Sequence, residues 1–190
     1  MKKLNNQLPL NAKRAFKGEI FEVWQWEQKM FDGSVEIFEK LKRSNTAGVI
    51  AAAGGKILIQ AQEQPDKPEV FASIPGGRCE EGEDSLAAAK RELLEETGYA
   101  SDDWELWNEQ EPVSKLIWTV YTYIARDCVY KQPPRLDAGE KITIRFISFD
   151  EFLMLSEDKN FYEKELVNAL YRARFDKKFR DEFRKLLFKK

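Results

Sequence analysis

Glu92, Glu95 and Glu96 stand at i, i+3 and i+4 within residues 77–99, GRCEEGEDSLAAAKRELLEETGY. On a helix that spacing sends three carboxylates out from one face. Crowded like charges repel one another, and hard oxygen donors in that arrangement suit Mg²⁺ or Mn²⁺, which relieves the repulsion. Gly77, Glu83, Arg91 and Gly98 complete the spacing G-x5-E-x7-R-E-φ-x-E-E-x-G-φ, where φ is apolar or aromatic. With each fixed residue at roughly 5 to 10% background usage, a chance match is on the order of 10⁻⁸ per starting position. Arg91 falls away from the middle of the acidic face and Glu83 lies in the turn before it. The two read as a structural pair that ties loop to helix and orients the carboxylates.

The positioning element is a helix over Leu86 to Glu96, capped by Asp84 or Ser85 and stopped at Gly98. Leu86, Ala89 and Leu93 form the stripe that packs it on a core. Upstream, Glu19 to Trp26 and Val35 to Leu41 are β-prone around an Asp32-Gly33 turn. Thr46 to Ala53 and Lys56 to Gln60 flank Gly54-Gly55 as a β-hairpin, and Val70 to Ile74 is a short strand. Downstream, Trp104 to Trp107, Lys115 to Arg126 and Lys141 to Phe149 read as strands. Asp150 to Leu155 is a short helix. Phe161 to about Lys189 forms one long or two consecutive helices, with Asp158 or Asn160 as caps. The pattern implies an α/β sandwich, with residues 1–43 as a small N-terminal β extension and 44–190 as the main domain.

Composition narrows the chemistry. A chain of 190 residues, 43% hydrophobic and 13% aromatic, can bury a substantial core. Its net charge of −2 favours neither nucleic acid nor an anionic membrane. Locally, residues 76–111 carry a net of −9, so an anionic substrate needs cations to approach that surface, whereas residues 172–190 carry +6 as a solvated helical face. With no histidine, acid and base work falls to carboxylates, Lys, Tyr or water on a metal. Cys79 and Cys128 are too few for a zinc site and read as free thiols. Residues 1–14 lack the apolar run of a signal peptide and no segment is long enough to span a membrane, so a cytoplasmic protein is expected.

The segment at 77–99 resembles the signature box of the Nudix hydrolases, with every fixed position filled. The resemblance implies a mixed sheet between helices. It also implies Glu92, Glu95 and Glu96 as ligands of Mg²⁺, with Mn²⁺ as a substitute, joined by the Gly76 carbonyl. It further implies cleavage of a diphosphate linking a nucleoside to another group. The N-terminal extension and Pro75-Gly76-Gly77 resemble the ADP-ribose pyrophosphatase branch, which implies ADP-ribose hydrolysed to AMP and ribose 5-phosphate, and a homodimer formed through the extension. For the base, Glu96 acting through the metal stands beside an acid on the loop Leu136 to Glu140, with Glu140 the better match and Asp137 second. Trp24, Trp26, Phe31, Trp118 and Tyr121 are candidates for stacking on a nucleobase. The chain departs from the ADP-ribose pattern after the box, where Glu111 to Lys115 reads EPVSK, with no Ser-Pro-Gly. GDP-mannose, dinucleoside polyphosphates, coenzyme A or oxidised nucleoside triphosphates therefore stand as alternatives, as does a non-catalytic nucleotide-binding module.

Overall fold

A computed structural model describes residues 7–189. The strands and helices of the first half are β1 (Lys13–Lys17), β2 (Glu22–Lys29), β3 (Val35–Lys42), β4 (Thr46–Ala53), β5 (Lys56–Glu63), β6 (Phe71–Ser73), β7 (Gly76–Arg78) and α1 (Ser85–Thr97). There follow β8 (Tyr99–Ala100), β9 (Asp103–Gln110), β10 (Leu116–Ile117), β11 (Val120–Arg126), β12 (Val129–Tyr130), β13 (Lys141–Ile147), α2 (Phe149–Met154), α3 (Lys164–Phe175) and α4 (Lys177–Phe188). The main sheet runs β13-β5-β4-β11-β9, with β6 added to β5 and β7 to β4. It is mixed, because β4 and β11 are parallel while β9, β13 and β5 pair antiparallel to their neighbours. Gly54 and Gly55 close the β4–β5 hairpin at φ 58° and 76°, values that glycine adopts without a Cβ clash.

Both faces of this sheet are covered, which explains why β4 and β5 read as nearly continuous apolar runs. Successive β4 side chains alternate: Ala47, Val49 and Ala51 pack with Ala88, Ala89 and Leu93 of α1. Ile50 joins the opposite cluster, with Phe152 of α2, Leu166 and Leu170 of α3, and Phe183 and Leu187 of α4. The result is the expected α/β/α sandwich. Cys79 and Cys128 are free and buried. No described helix is long and apolar enough to cross a membrane.

The N-terminal sheet runs β1-β2-β3-β10. Strand β1 was not expected, and β10 comes from outside residues 1–43, pairing in parallel with β3. The continuous strand expected over Lys115 to Arg126 is therefore two strands. Side-chain bonds enter at the break: the Thr119 amide donates to Asn45 Oδ1 at 2.9 Å and Trp118 Nε1 to Thr46 Oγ1 at 3.1 Å, while the Thr46 amide donates to the Thr119 carbonyl at 3.1 Å. The strand expected to reach Phe149 stops at Ile147, because Ser148 and Glu151 form a capping box that draws Phe149 into α2. The C-terminal run divides at Asp176, whose carboxylate caps α4 by accepting from the Phe179 amide at 3.0 Å. Asp158 and Asn160 do not cap α3. Asp158 accepts from the Asn160 amide within the preceding turn, and the residue at the cap position of α3 is Glu163.

Candidate active site

Helix α1 begins where Asp84 Oδ1 accepts from the amides of Leu86 and Ala87, each at 3.0 Å. Ser85, the other expected cap, instead bonds Tyr123 through its hydroxyl at 2.7 Å. The helix stops at Gly98, φ 74°, where a Cβ would run into the Gln132 carbonyl. Packing of Ala88, Ala89 and Leu93 on β4 fixes the rotation of the helix and so decides where its acids point. Strand β7 at Gly76 and Gly77 lies so close to β4 and α1 that side chains have no room. A Cβ at 76 would sit 2.5 Å from the Ala47 carbonyl oxygen, and one at 77 would sit 2.6 Å from Glu92 Cδ.

Arg91 does more than the expected pairing with Glu83. Its Nε and Nη2 donate to the two Glu83 oxygens at 3.0 Å each, and Nη2 also donates to the Arg78 carbonyl. Its Nη1 reaches into the acidic face, donating to Glu92 Oε1 at 2.9 Å and Glu95 Oε2 at 3.1 Å. The guanidinium beside Glu83 holds that carboxyl below its usual range. Burial raises Glu92 against the pull of Arg91.

Glu96 is different. It is 5% exposed, and its Oε2 accepts from the Gly76 amide at 2.8 Å and from Gln60 Nε2 at 2.9 Å. Burial pushes its carboxyl up to about 8, opposed by those two neutral donors and reinforced by repulsion from Glu92 and Glu140.

These acids border a cleft of about 740 Å³, shared with Arg43, Arg78, Trp118, Arg135, Asp137 and Glu140. Glu140 sits in a turn whose amide donates to the Asp137 carbonyl at 3.0 Å. The cleft thus brings together Gly76, Glu92, Glu95, Glu96, Arg91, Glu140 and Trp118. Glu83 stays behind Arg91. The other stacking candidates do not border the cleft of this chain. Trp24 donates to Glu22 at 2.8 Å between Arg14 and Lys42, Trp26 is buried edge-on to Phe38, and Phe31 is fully exposed on the β2–β3 turn. Tyr121 packs among the residues beneath α1.

A family model described as NUDIX domain matches residues 41–170. The chain belongs to the Nudix family. It is similar to the methanol dehydrogenase activator of Bacillus methanolicus, 26% identical over 176 residues, covering 90% of this chain and 94% of that one. It is also similar to the ADP-ribose pyrophosphatase of Bacillus subtilis (strain 168), 23% identical over 161 residues, covering 82% and 85%. In fold it matches the crystal structure of an ADP compounds hydrolase with a TM-score of 0.74 at 18% identity, over 92% of this chain and 95% of that one. With its box intact, this chain is a Nudix pyrophosphohydrolase.

Nudix hydrolases generally use a divalent metal. The donor chemistry here fits a hard divalent cation, since clustered, partly buried carboxylates are what such an ion neutralises. The expected convergence of three acids on one point is not present. Among the described residues no three acidic or cysteine side chains are already gathered as a formed ion site; Arg91 bonds Glu92 and Glu95 on one side, while the Gly76 amide and Gln60 hold Glu96.

Sequence reasoning missed four features of this Nudix site. Arg43 borders the cleft over the Trp118 ring at 5.0 Å, its Nε buried without a hydrogen bond among the described residues. Glu163 also borders it, with Oε2 buried and without a hydrogen bond among the described residues; burial pushes that carboxyl up to about 8. Nothing local in the sequence marks either residue. Gln60 and Gln62, both buried, did leave a signal: polar residues at a period of two in an otherwise apolar strand.

Proposed function

We propose that this enzyme hydrolyses the diphosphate of nucleoside diphosphate sugars, ADP-ribose first, giving AMP and ribose 5-phosphate with Mg²⁺, or Mn²⁺ in its place. The observation that carries the reading is Glu96, a buried carboxyl on the wall of a cleft whose volume of about 740 Å³ falls in the range of small-ligand sites. The similarity to an ADP-ribose pyrophosphatase supports the substrate class. So does the mixed charge of the cleft, where Arg43, Arg78 and Arg135 face the acids of the box.

Glu92, Glu95 and Glu96 would hold the cation, with the Gly76 carbonyl beside them. When bound, the cation neutralises the diphosphate oxygens and the charge that grows on them. Arg91, fixed by Glu83, keeps Glu92 and Glu95 in register, and Arg78 and Arg135 add positive charge for the phosphates. A water adds to one phosphorus, its proton passes to Glu96 or Glu140, and the bond from phosphorus to the bridging oxygen breaks. Trp118 offers a face for the base.

We infer a homodimer through the N-terminal sheet, which exposes Phe16, Val35, Ile37 and Leu41. A small-molecule nucleotide is the expected partner, and two free thiols with a net charge of −2 favour the cytoplasm and no nucleic acid. The substrate is tested by scoring AMP, GMP and phosphate release from ADP-ribose, GDP-mannose, diadenosine polyphosphates and 8-oxo-dGTP with Mg²⁺. AMP from ADP-ribose is the expected result, and turnover of triphosphates alone overturns it. Sedimentation at micromolar concentration tests the dimer, and a monomer there overturns it.

A further inference from the structure

Gln60, Gln62 and Gln64 alternate along β5 and just beyond it, so all three lie on one side of the sheet. Gln60 is fully buried and Gln62 is 6% exposed, although Ile57, Leu58 and Ile59 on the same strand are apolar. Burying primary amides is unfavourable unless every donor and acceptor finds a partner. Here they partner one another in one direction. Gln64 Nε2 donates to Gln62 Oε1 at 3.4 Å, Gln62 Nε2 to Gln60 Oε1 at 2.6 Å, and Gln60 Nε2 to Glu96 Oε2 at 2.9 Å. Ser73 Oγ, from the neighbouring strand β6, donates to the same Gln60 oxygen at 3.1 Å. Gln62 and Gln64 border the cleft, so the series starts in the site and ends on the buried carboxylate of Glu96.

An apolar residue at position 60 would fill the core without needing any of these bonds, so folding alone does not account for the amides. We propose that the Gln64–Gln62–Gln60 series, braced by Ser73, is a positioning device for Glu96. With the Gly76 amide it occupies Oε2 and fixes the plane of the carboxylate, while Oε1 carries no protein hydrogen bond among the described residues. One oxygen is thereby reserved for holding the group and the other for the ligand. Aligned amide dipoles strengthen one another, so each glutamine sharpens the hold of the next. Gln60 acts through Glu96 and touches no reacting atom. The proposal rests on Glu96 being a cation-holding residue of the proposed function.

The test compares Gln60→Met, Gln62→Met and Gln64→Met, near-isosteric changes that break the series at successive distances from Glu96, in Mn²⁺ titrations followed by electron paramagnetic resonance. Gln60→Met should weaken Mn²⁺ binding and lower kcat by about 10–100-fold with KM little changed. Gln62→Met should do less and Gln64→Met least. Ser73→Ala, a smaller change, should fall between the last two and guards against misfolding of the first. Folded Gln60→Met with wild-type Mn²⁺ affinity and kcat overturns the proposal, as do losses that follow melting temperature instead of distance from Glu96. A readout on the metal-free protein separates this from the cation reading. In ¹⁵N spectra the Gln60 side-chain amide protons should exchange slowly, and Glu96→Ala should shift them and speed their exchange. If wild type takes up no Mn²⁺ but those signals respond, the cation reading fails and the series stands; if they ignore Glu96→Ala, the series fails.

Discussion

Glu95 and Glu96 are adjacent on one helix, yet their surroundings have little in common. Glu95 is partly exposed, its side chain 44% so, and paired with a full charge on Arg91. Glu96 is 5% exposed and, among the described residues, accepts hydrogen bonds from neutral donors only. An ion pair stabilises a carboxylate as a charge, while burial among amides orients it and leaves it short of compensation. The rotation of α1, set by Ala88, Ala89 and Leu93 on β4, therefore divides the box into an outer side that Arg91 organises and an inner side held by neutral amides. The largest expected effect breaks this division. Glu96→Gln keeps an acceptor for the Gly76 amide, so the fold should survive while kcat falls by about 10³-fold. Glu95→Gln should cost about 10-fold. Equal losses in steady-state assays would mean that the two carboxylates do the same work.

Arg91→Lys attacks the outer side. A lysine has no planar fork, so it cannot span both Glu83 oxygens, the Arg78 carbonyl and two further acids. The loss of charge-assisted bonds should cost about 2 kcal/mol, discounted for the half-exposed Glu95 pair, and lower Tm by about 4–8 °C. Turnover should drop about 10–100-fold, because the acids lose their orientation. A melting curve and kcat both matching wild type would show that Arg91 is an ordinary surface charge.

That outer side was largely legible in the sequence, because everything that builds it is local. The Asp84 cap, the Gly98 stop, the apolar stripe and the fork from Glu83 to Arg91 all lie within residues 77–99. Arg91's reach to Glu92 and Glu95 was missed because a long side chain is not confined to the face its Cα occupies. The inner side depends on partners far apart in the chain. The Gln60 to Glu96 bond spans 36 residues, and the glutamine period announces a buried face without naming what it meets. The same reason hid the break at Trp118 and Thr119, a β-branched and aromatic run without glycine or proline, interrupted by bonds from Asn45 and Thr46. The division at Asp176 lay within a charged, helix-prone run, where a cap looks like any other surface acid.

Glu163 extends the inner side, and its effect should be smaller. Its carboxyl is raised from 4.5 to about 8 by burial, opposed by the Ile74 amide and reinforced by Glu165 and Glu96. A raised acid favours the protonated form in the folded state. Its stabilising contribution is therefore complete below about 4.5 and is lost as pH climbs through about 8. Glu163→Gln removes this group while Glu96 remains, so the difference between the two proteins isolates it. Wild-type Tm should fall more steeply than that of the variant between these two values. Parallel curves in calorimetry would show that Glu163 stays charged throughout.

The aromatic candidates show the same contrast at the smallest scale. Trp118 borders the cleft, pinned by its bond to Thr46, whereas Trp24 and Phe31 lie on the N-terminal sheet away from it. One stacked base is worth about 1–3 kcal/mol, so Trp118→Ala should raise KM for the nucleotide at least about 5-fold with kcat little changed. Trp24→Ala should leave KM within about twofold, because its ring is engaged by Arg14 and Lys42 and packs within its own sheet. Phe31 is the sharper case, being fully exposed at a turn that does not border the cleft. If Phe31→Ala raises KM although the residue does not border its own cleft, delivery by a second copy is the expected cause. The dimer inferred from the exposed face of the sheet would then be part of the site, and KM would rise on dilution below the dissociation constant. An unchanged KM at Phe31 at every concentration confines base recognition to Trp118 and its own chain.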